Sequence, residues 1–105
     1  EEKGMQANAM TYRMLLEGFM RSTRYGEALA LQEPLFDLRS RLERTTQDPV
    51  AMPAARDQAA RELQDPGAQR NWTKAYYYLI DAAVWNGEWP RAVQLVEDMV
   101  DQGLT

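Results

Sequence analysis

The chain has 105 residues, a net charge of −4 at neutral pH, and neither cysteine nor histidine. This length suits one small domain. Without cysteine, disulfides and thiolate zinc sites are excluded, and without histidine the usual general base and the commonest metal ligand are missing. We therefore expect a protein that is not an enzyme, with no catalytic, cofactor-binding or metal site.

The stretch between Met10 and Arg21 predicts a first amphipathic helix, because its apolar residues follow the spacing i, i+3, i+4, i+7 of one helix face. That face consists of Tyr12, Leu15, Leu16 and Phe19. A second helix is predicted from about Tyr25 to about Arg44. Its inner face consists of Ala28, Leu31 and Leu35. Pro34 lacks a backbone donor, so we expect a kink or a restart there.

Residues 46–72 have no counterpart in the helical pattern on either side and are interpreted as an insertion. A short helix is predicted from Pro53, ended by the Asp-Pro-Gly run at 65–67. Alanine dominates its apolar positions, so we expect it to bury little surface. Just before this insertion Arg39, Arg41 and Arg44 form a local basic cluster in which Glu43 pairs with Arg39. We interpret the cluster as a solvated face, with contact to RNA or an acidic protein as the alternative.

A second hairpin is predicted after residue 72. Tyr76, Leu79, Ile80 and Ala83 give the inner face of its first helix. Gly87 ends that helix as a C-cap, and Pro90 suits the first turn of the next. The inner face of that next helix consists of Ala92, Leu95, Val96 and Met99, and Gly103 ends it.

Residues 9–33 align with residues 73–97 without a gap, at a constant offset of 64. The matched pairs include Tyr12 with Tyr76, Leu15 with Leu79, Tyr25 with Trp89, and Ala28 with Ala92. Such a repeat through two helices and a turn is typical of a solenoid. The chain therefore predicts an all-α fold, in which helical hairpins form a segment of an α-α superhelix with one inserted short helix.

The two units resemble pentatricopeptide repeats, whose pattern is close to VTYNTLIDGxxKxGxxxxALxLxxxMxxxGIxPD. The matching stretches are MTYRMLLEGFMRSTRYGEALALQE and KAYYYLIDAAVWNGEWPRAVQLVEDMVDQGL. The resemblance implies that the sequence is a fragment of a longer repeat protein. It divides into the end of a preceding repeat at 1–8, a first repeat with an extended second helix at 9–45, the insertion at 46–72, and a second repeat at 73–105.

Helical geometry places some side chains of residues 74–85 opposite the core. At 100° per residue from Tyr76, these outward positions lie between about 140° and 200°. They are Lys74, Tyr78, Asp81 and Trp85. Aromatic side chains are common interface anchors, so we predict a partner interface here, with packing against a neighbouring repeat as the alternative. Trp89 lies at the turn and is predicted to be structural.

The family resemblance also implies candidate RNA contacts. In the family, one base is read by the residue after the first-helix tyrosine together with the last residue of a repeat, and both are small polar residues. The matching positions hold Arg13 and Tyr77, Asn8 before the first unit, and Trp72 before the second. Arg13 and Tyr77 lack the small hydrogen-bonding side chain, although arginine suits phosphate and tyrosine suits base stacking.

Two functions remain open from the sequence. The first is a non-catalytic scaffold or adaptor subunit of a large organellar assembly, such as a ribosome or a photosynthetic or respiratory complex, which binds mainly protein subunits. The net charge of −3 over residues 73–105 favours this function. The alternative is single-stranded RNA binding in RNA processing or translation. A mitochondrion or plastid is implied by the resemblance alone, and no apolar run approaches the roughly 20 residues that span a membrane.

Overall fold

The computed structural model describes residues 8–104, and this range contains helices and no strand. An all-α protein is therefore confirmed for the described residues. Six helices follow one another: α1 Ala9–Arg21, α2 Tyr25–Leu29, α3 Gln32–Gln47, α4 Pro53–Gln64, α5 Pro66–Trp85 and α6 Trp89–Asp101. The predicted end of a preceding repeat lies outside the described residues, except for Asn8.

The second helix of the first hairpin is divided as expected. Helix α2 ends at Leu29 and α3 begins at Gln32, which places Pro34 in the first turn of α3. Proline has no N–H to donate to the carbonyl of Ala30, four residues earlier, whereas in the first turn no such bond is needed. The predicted restart near Pro34 is confirmed.

The inserted segment differs from the prediction at its C-terminal end. Helix α4 begins at Pro53 as expected, but the Asp-Pro-Gly run that ends it also begins α5. The Asp65 side chain accepts a hydrogen bond from the backbone N–H of Gly67 (3.1 Å), and Pro66 occupies the first helical position. Aspartate and proline are favoured at these positions. The predicted boundary at residue 73 therefore lies inside a continuous helix that starts seven residues earlier.

The turns that connect α1 to α2 and α5 to α6 have the same backbone geometry. Thr23 has a φ of 58° and Gly87 has a φ of 78°, at positions separated by the repeat offset of 64. In each turn a backbone N–H bonds the carbonyl five residues earlier, as in a Schellman motif. These bonds join Arg24 N to Phe19 O and Glu88 N to Ala83 O, each at 2.8 Å. The sequence repeat is thus matched by a repeated local structure, and the predicted C-cap role of Gly87 is confirmed.

Helix α5 lies at the centre of the packing. It contacts α1 and α2 on one side, α6 on another, and α4 near its N-terminus, while α3 packs against α4. The predicted core role of Tyr76 is confirmed. The largest fully buried side chains are Trp72, Tyr76, Leu16, Leu35, Leu79 and Leu95.

Two residues predicted for inner faces are exposed. Leu15 of α1 is 46% exposed and Val96 of α6 is 45% exposed. Helices α1 and α6 lie at opposite ends of the packing order, and each has helices against it on only part of its circumference. The helical period therefore identified the apolar positions correctly, but the prediction that both side chains are buried was wrong.

Candidate functional site

Helix α5 has one exposed strip. The exposed positions at spacings of four, three, four and four residues lie on one side of the helix. They are Arg70, Lys74, Tyr77, Asp81 and Trp85. The strip exists because the other sides of α5 are covered by its neighbours, and it combines two basic residues, one acidic residue and two aromatic rings.

The predicted partner interface falls mainly on this strip. Lys74, Asp81 and Trp85 are exposed, whereas Tyr78 is half-buried and packs against the hydrophobic core. The Trp85 ring stacks against Tyr25 of α2, with 6.4 Å between ring centroids and 20° between planes. Trp85 nevertheless remains 70% exposed. The structure thus brings three of the four predicted residues to one surface.

The three candidate RNA contacts are placed differently from one another. The Asn8 side chain caps α1 by accepting a hydrogen bond from the backbone N–H of Thr11 (2.9 Å). The Arg13 guanidinium donates through Nε to Asn71 Oδ1 (2.7 Å) and contacts Glu17 Oε1 (3.3 Å). Tyr77 points outward on α5. The side chains of Asn8 and Arg13 therefore stabilise the local structure. Of the three candidates, only Tyr77 is exposed and takes part in none of these contacts.

Trp72 lies in the interior of the protein. The repeat pattern had instead suggested a ligand-facing position just before the second unit. The Trp72 indole Nε1 donates a hydrogen bond to the carbonyl of Glu62 (2.8 Å), which links α5 to α4. The Arg39 guanidinium lies over its ring, 5.0 Å from the centroid. Trp72 is only 1% exposed, so the position suggested for it by the repeat pattern does not face a ligand. The early start of α5 causes this difference, because it places Trp72 in the second turn of a packed helix.

The arginine cluster before the insertion is divided by the fold. Arg39 is buried, donates through Nε to Gln102 Oε1 (2.7 Å), and lies 3.5 Å from Glu43, so the predicted ion pair is confirmed. Its interpretation as a solvated residue was wrong. Arg41 and Arg44 are exposed and line a shallow cavity of about 730 Å³ that also contains acidic side chains.

Sequence reasoning missed an apolar ridge on α6. Its members are exposed at spacings of four, three and four residues, which places them on one side of the helix. They are Trp89, Val93, Val96 and Val100. Trp89, which was predicted to be structural, is 62% exposed, whereas its repeat counterpart Tyr25 packs against Trp85. The offset of 64 was the signal that could have identified the ridge, because it matches Trp89 and Val100 to Tyr25 and Phe36, whose rings pack against Trp85 and Tyr76 of α5.

Burial raises the pKa of Tyr76 to about 12, and the negative charge of Asp98 acts in the same direction. The Arg39 guanidinium opposes this shift, and Glu43 adds slightly to it. Because the phenol stays neutral over the physiological range, it supplies no charge to a ligand and acts as a core residue.

Within residues 8–104, no three histidine, cysteine or carboxylate side chains are grouped to hold a metal ion. In the same range no helix combines the length and the apolar character needed to cross a membrane. Comparison of the chain with protein-family models, with curated proteins and with solved structures found no match.

Proposed function

We propose that the chain is part of a non-catalytic helical-repeat scaffold or adaptor that binds mainly protein subunits of a larger organellar assembly. Its two hairpins, α1–α2 and α5–α6, act as repeats of a solenoid. Helix α4 and the extended α3 pack beside these repeats. The proposal extends the pentatricopeptide-repeat resemblance of the sequence, which also suggests a mitochondrion or plastid as the location.

The solenoid interpretation is supported by the order of packing. The first helix of the second hairpin, α5, contacts both helices at the start of the first hairpin, α1 and α2, and also its own partner α6. Consecutive units of a solenoid pack in this way, each against its neighbour. The radius of gyration, 14.3 Å, is slightly above the roughly 13 Å of a compact domain of this size.

The exposed aromatic surface carries the functional proposal. Tyr77, Trp85 and Trp89 are each more than half exposed and lie within residues 73–105, whose net charge is −3. Large aromatic side chains supply much of the binding energy at protein interfaces. Negative charge opposes contact with phosphates. Together these properties favour a protein partner over a nucleic acid.

The proposal is tested with the full protein in cell extract. Trp85→Ala removes an exposed ring, and we expect the tagged protein to be lost from large complexes during sedimentation, at least about tenfold relative to wild type. Met52→Ala is the matched control, because Met52 is equally exposed but lies before α4, away from the aromatic surface. Equal sedimentation of Trp85→Ala and wild type would overturn the scaffold proposal at this surface.

The RNA-binding alternative has one observation in its favour. Arg13, Arg70 and Lys74 line a common shallow cavity of about 380 Å³ between α1 and the N-terminal half of α5. Three cations at one surface suit a phosphate group, although Asp65 and the bond from Arg13 to Asn71 oppose this. Binding of single-stranded RNA that weakens steeply as salt rises, and that is lost in Lys74→Glu, would establish this alternative instead.

A further inference from the structure

The exposed strip of α5 changes in chemical character along its length. Its N-terminal part contains the cations Arg70 and Lys74, and its C-terminal part contains Tyr77, Asp81 and Trp85. At 1.5 Å per residue the strip is about 22 Å long. Helices α1, α2, α4 and α6 contact α5 and leave these side chains exposed. A partner that covers the strip therefore meets two chemically different parts.

The N-terminal part of the strip carries an excess of positive charge. In residues 8–104, no carboxylate oxygen lies within 4.0 Å of the charged nitrogens of Arg70 or Lys74. Together with Arg13 they line the cavity of about 380 Å³, and one of its lining residues, Asp65, is acidic, which gives a net charge of +2. The cavity beside Arg41 is lined by two basic and two acidic residues, with a net charge of zero. An anionic group is therefore favoured at the α5 cavity and not at the other one.

Arg13 contributes a fixed positive charge to this cavity. Its Nε donates to Asn71 Oδ1 (2.7 Å) and its Nη1 lies 3.3 Å from Glu17 Oε1. These contacts hold the guanidinium in place, and the side chain is only 22% exposed. The donors that remain free for a ligand are those of Arg70 and Lys74. Guanidinium and ammonium groups form strong charge-assisted hydrogen bonds with carboxylates.

The C-terminal part of the strip suits apolar side chains. Tyr77 is 52% exposed and Trp85 is 70% exposed. The Trp85 ring is supported by Tyr25, with 6.4 Å between ring centroids. A supported ring loses little conformational freedom on binding, and aromatic rings contribute large apolar areas at interfaces.

The position of Asp81 favours a protein segment over a nucleic acid. Asp81 lies seven residues beyond Lys74, about 10 Å along the helix. A nucleic acid carries a negative charge at each phosphate. A strand with one phosphate in the cavity would therefore bring further phosphates toward Asp81 as it continued along the strip. A polypeptide can place a carboxylate at the cavity and apolar side chains beyond it.

We propose that the α5 strip binds a segment of a partner protein that combines acidic and apolar side chains. The carboxylates of the segment bind Arg70 and Lys74, and its apolar side chains pack against Tyr77 and Trp85. The two kinds of side chain lie within about 16 Å of each other, the length of α5 between Lys74 and Trp85. This inference rests on the proposed protein-binding function and names the chemistry of the partner at that surface.

Lys74 allows a direct chemical test, because it is the only lysine in residues 8–104. A water-soluble carbodiimide joins a lysine amine to a neighbouring carboxylate through an amide bond. In the native complexes of the full protein, we expect Lys74 to be joined to an aspartate or glutamate of another protein, as identified by mass spectrometry of tryptic peptides. Lys74→Arg keeps the charge and removes the amine, so this variant is expected to remain in the complexes and to lose the cross-link.

Reversal of the charge tests the contribution of Lys74 to binding. Lys74→Glu is expected to lower the amount of the protein in large complexes at least about tenfold during sedimentation. Arg41→Glu is the matched control, because it changes the net charge equally at an exposed residue of the neutral cavity. It is expected to sediment like wild type.

Three results would overturn the acidic partner. They are sedimentation of Lys74→Glu like wild type, the absence of an amide between Lys74 and another protein, and an ultraviolet cross-link of Tyr77 to RNA. Loss of Trp85→Ala from large complexes, with no effect of Lys74→Glu, would still support the scaffold function. The failure of this inference is therefore distinguishable from the failure of the proposed function.

Discussion

The two hairpins of this chain have the same turn geometry but differ in which of their sides are covered by other helices. Both turns contain a left-handed residue at corresponding positions, Thr23 and Gly87. Each turn is followed by an ion pair between corresponding positions with the charges exchanged. The pairs are Arg24 with Glu27 at 3.6 Å and Glu88 with Arg91 at 3.3 Å. The repeat therefore conserves the spacing of interactions while the residue types change.

Burial, in contrast, differs between corresponding positions. Leu79 is fully buried and its counterpart Leu15 is exposed, whereas Leu29 is buried and its counterpart Val93 is 56% exposed. Each hairpin buries the side that faces the other one. The comparison teaches that local sequence determines where a hairpin is apolar, and that the neighbouring helices determine which of those positions are covered.

The largest expected effect separates Leu79 from Leu15. Leu79→Ala leaves a cavity in a fully packed site and is expected to lower the free energy of unfolding by about 3–5 kcal/mol. Leu15→Ala removes a side chain that is already hydrated and is expected to cost less than about 1 kcal/mol. Urea unfolding at low protein concentration measures both. Equal losses would mean that the Leu15 side chain is covered in the folded protein.

A smaller effect is expected where the two halves stop matching. Arg39 corresponds to Gly103, so its contacts with Trp72 and Gln102 have no repeat counterpart. Arg39→Ala is expected to lower the free energy of unfolding by about 2–3 kcal/mol, because it removes a buried cation–π contact and a charged hydrogen bond. Arg41→Ala is the control, since that side chain is exposed. A cost for Arg41→Ala as large as that for Arg39→Ala would contradict the division of the arginine cluster.

Tyr76 provides a pH-dependent test of the buried side of α5. Its pKa is raised to about 12 in the folded protein, against about 10 when unfolded. Below pH 10 the phenol is protonated in both states, and between pH 10 and 12 only the unfolded state releases the proton. Tyr76 is therefore expected to cost about 1–3 kcal/mol of stability across this window. The contribution of Tyr76 is isolated by comparing the unfolding free energies of wild type and Tyr76→Phe across this pH window. An identical decrease in stability in the variant would exclude Tyr76 as the source.

The smallest expected effects concern the two matched turns. Gly87→Ala places a side chain at positive φ and is expected to cost about 1 kcal/mol. Thr23→Gly relieves the same conformation in the first turn and is expected to stabilise by about 0.5 kcal/mol. Thermal unfolding of the two variants, with opposite shifts in midpoint, checks the equivalence of the turns. Shifts of the same sign would show that the two turns differ in strain.

Much of the helical pattern was predictable because it depends on neighbours along the chain. Pro34 and Gly87 act through their own backbone geometry, which the sequence states directly. The start of α5 was missed because the Asp-Pro-Gly run fits both the end of one helix and the beginning of the next. The buried position of Trp72 was missed for the same reason, since it follows from that early start.

The candidate surface was predictable only in part. The helical period correctly placed Lys74, Asp81 and Trp85 outside, because it describes the helix by itself. It also placed Tyr78 outside, which was wrong: Tyr78 is half-buried and Tyr77 is exposed, because their burial depends on how α5 is rotated against α1, α2 and α6. The exposure of Trp89 was likewise hidden, because its counterpart Tyr25 has a ring to pack against and Trp89 has none within the described chain.

By itself the sequence determined the apolar stripes, the turns and the repeat offset, because each depends on the φ, ψ and spacing of adjacent residues. Tertiary structure alone decided which sides of α5 are covered, that Arg39 and Trp72 meet in the interior, and that the two outer helices keep apolar sides exposed. These outcomes depend on which helices are adjacent in space. The hydrophobic effect favours burial of any apolar stripe, but a stripe is covered only where another helix is present to cover it.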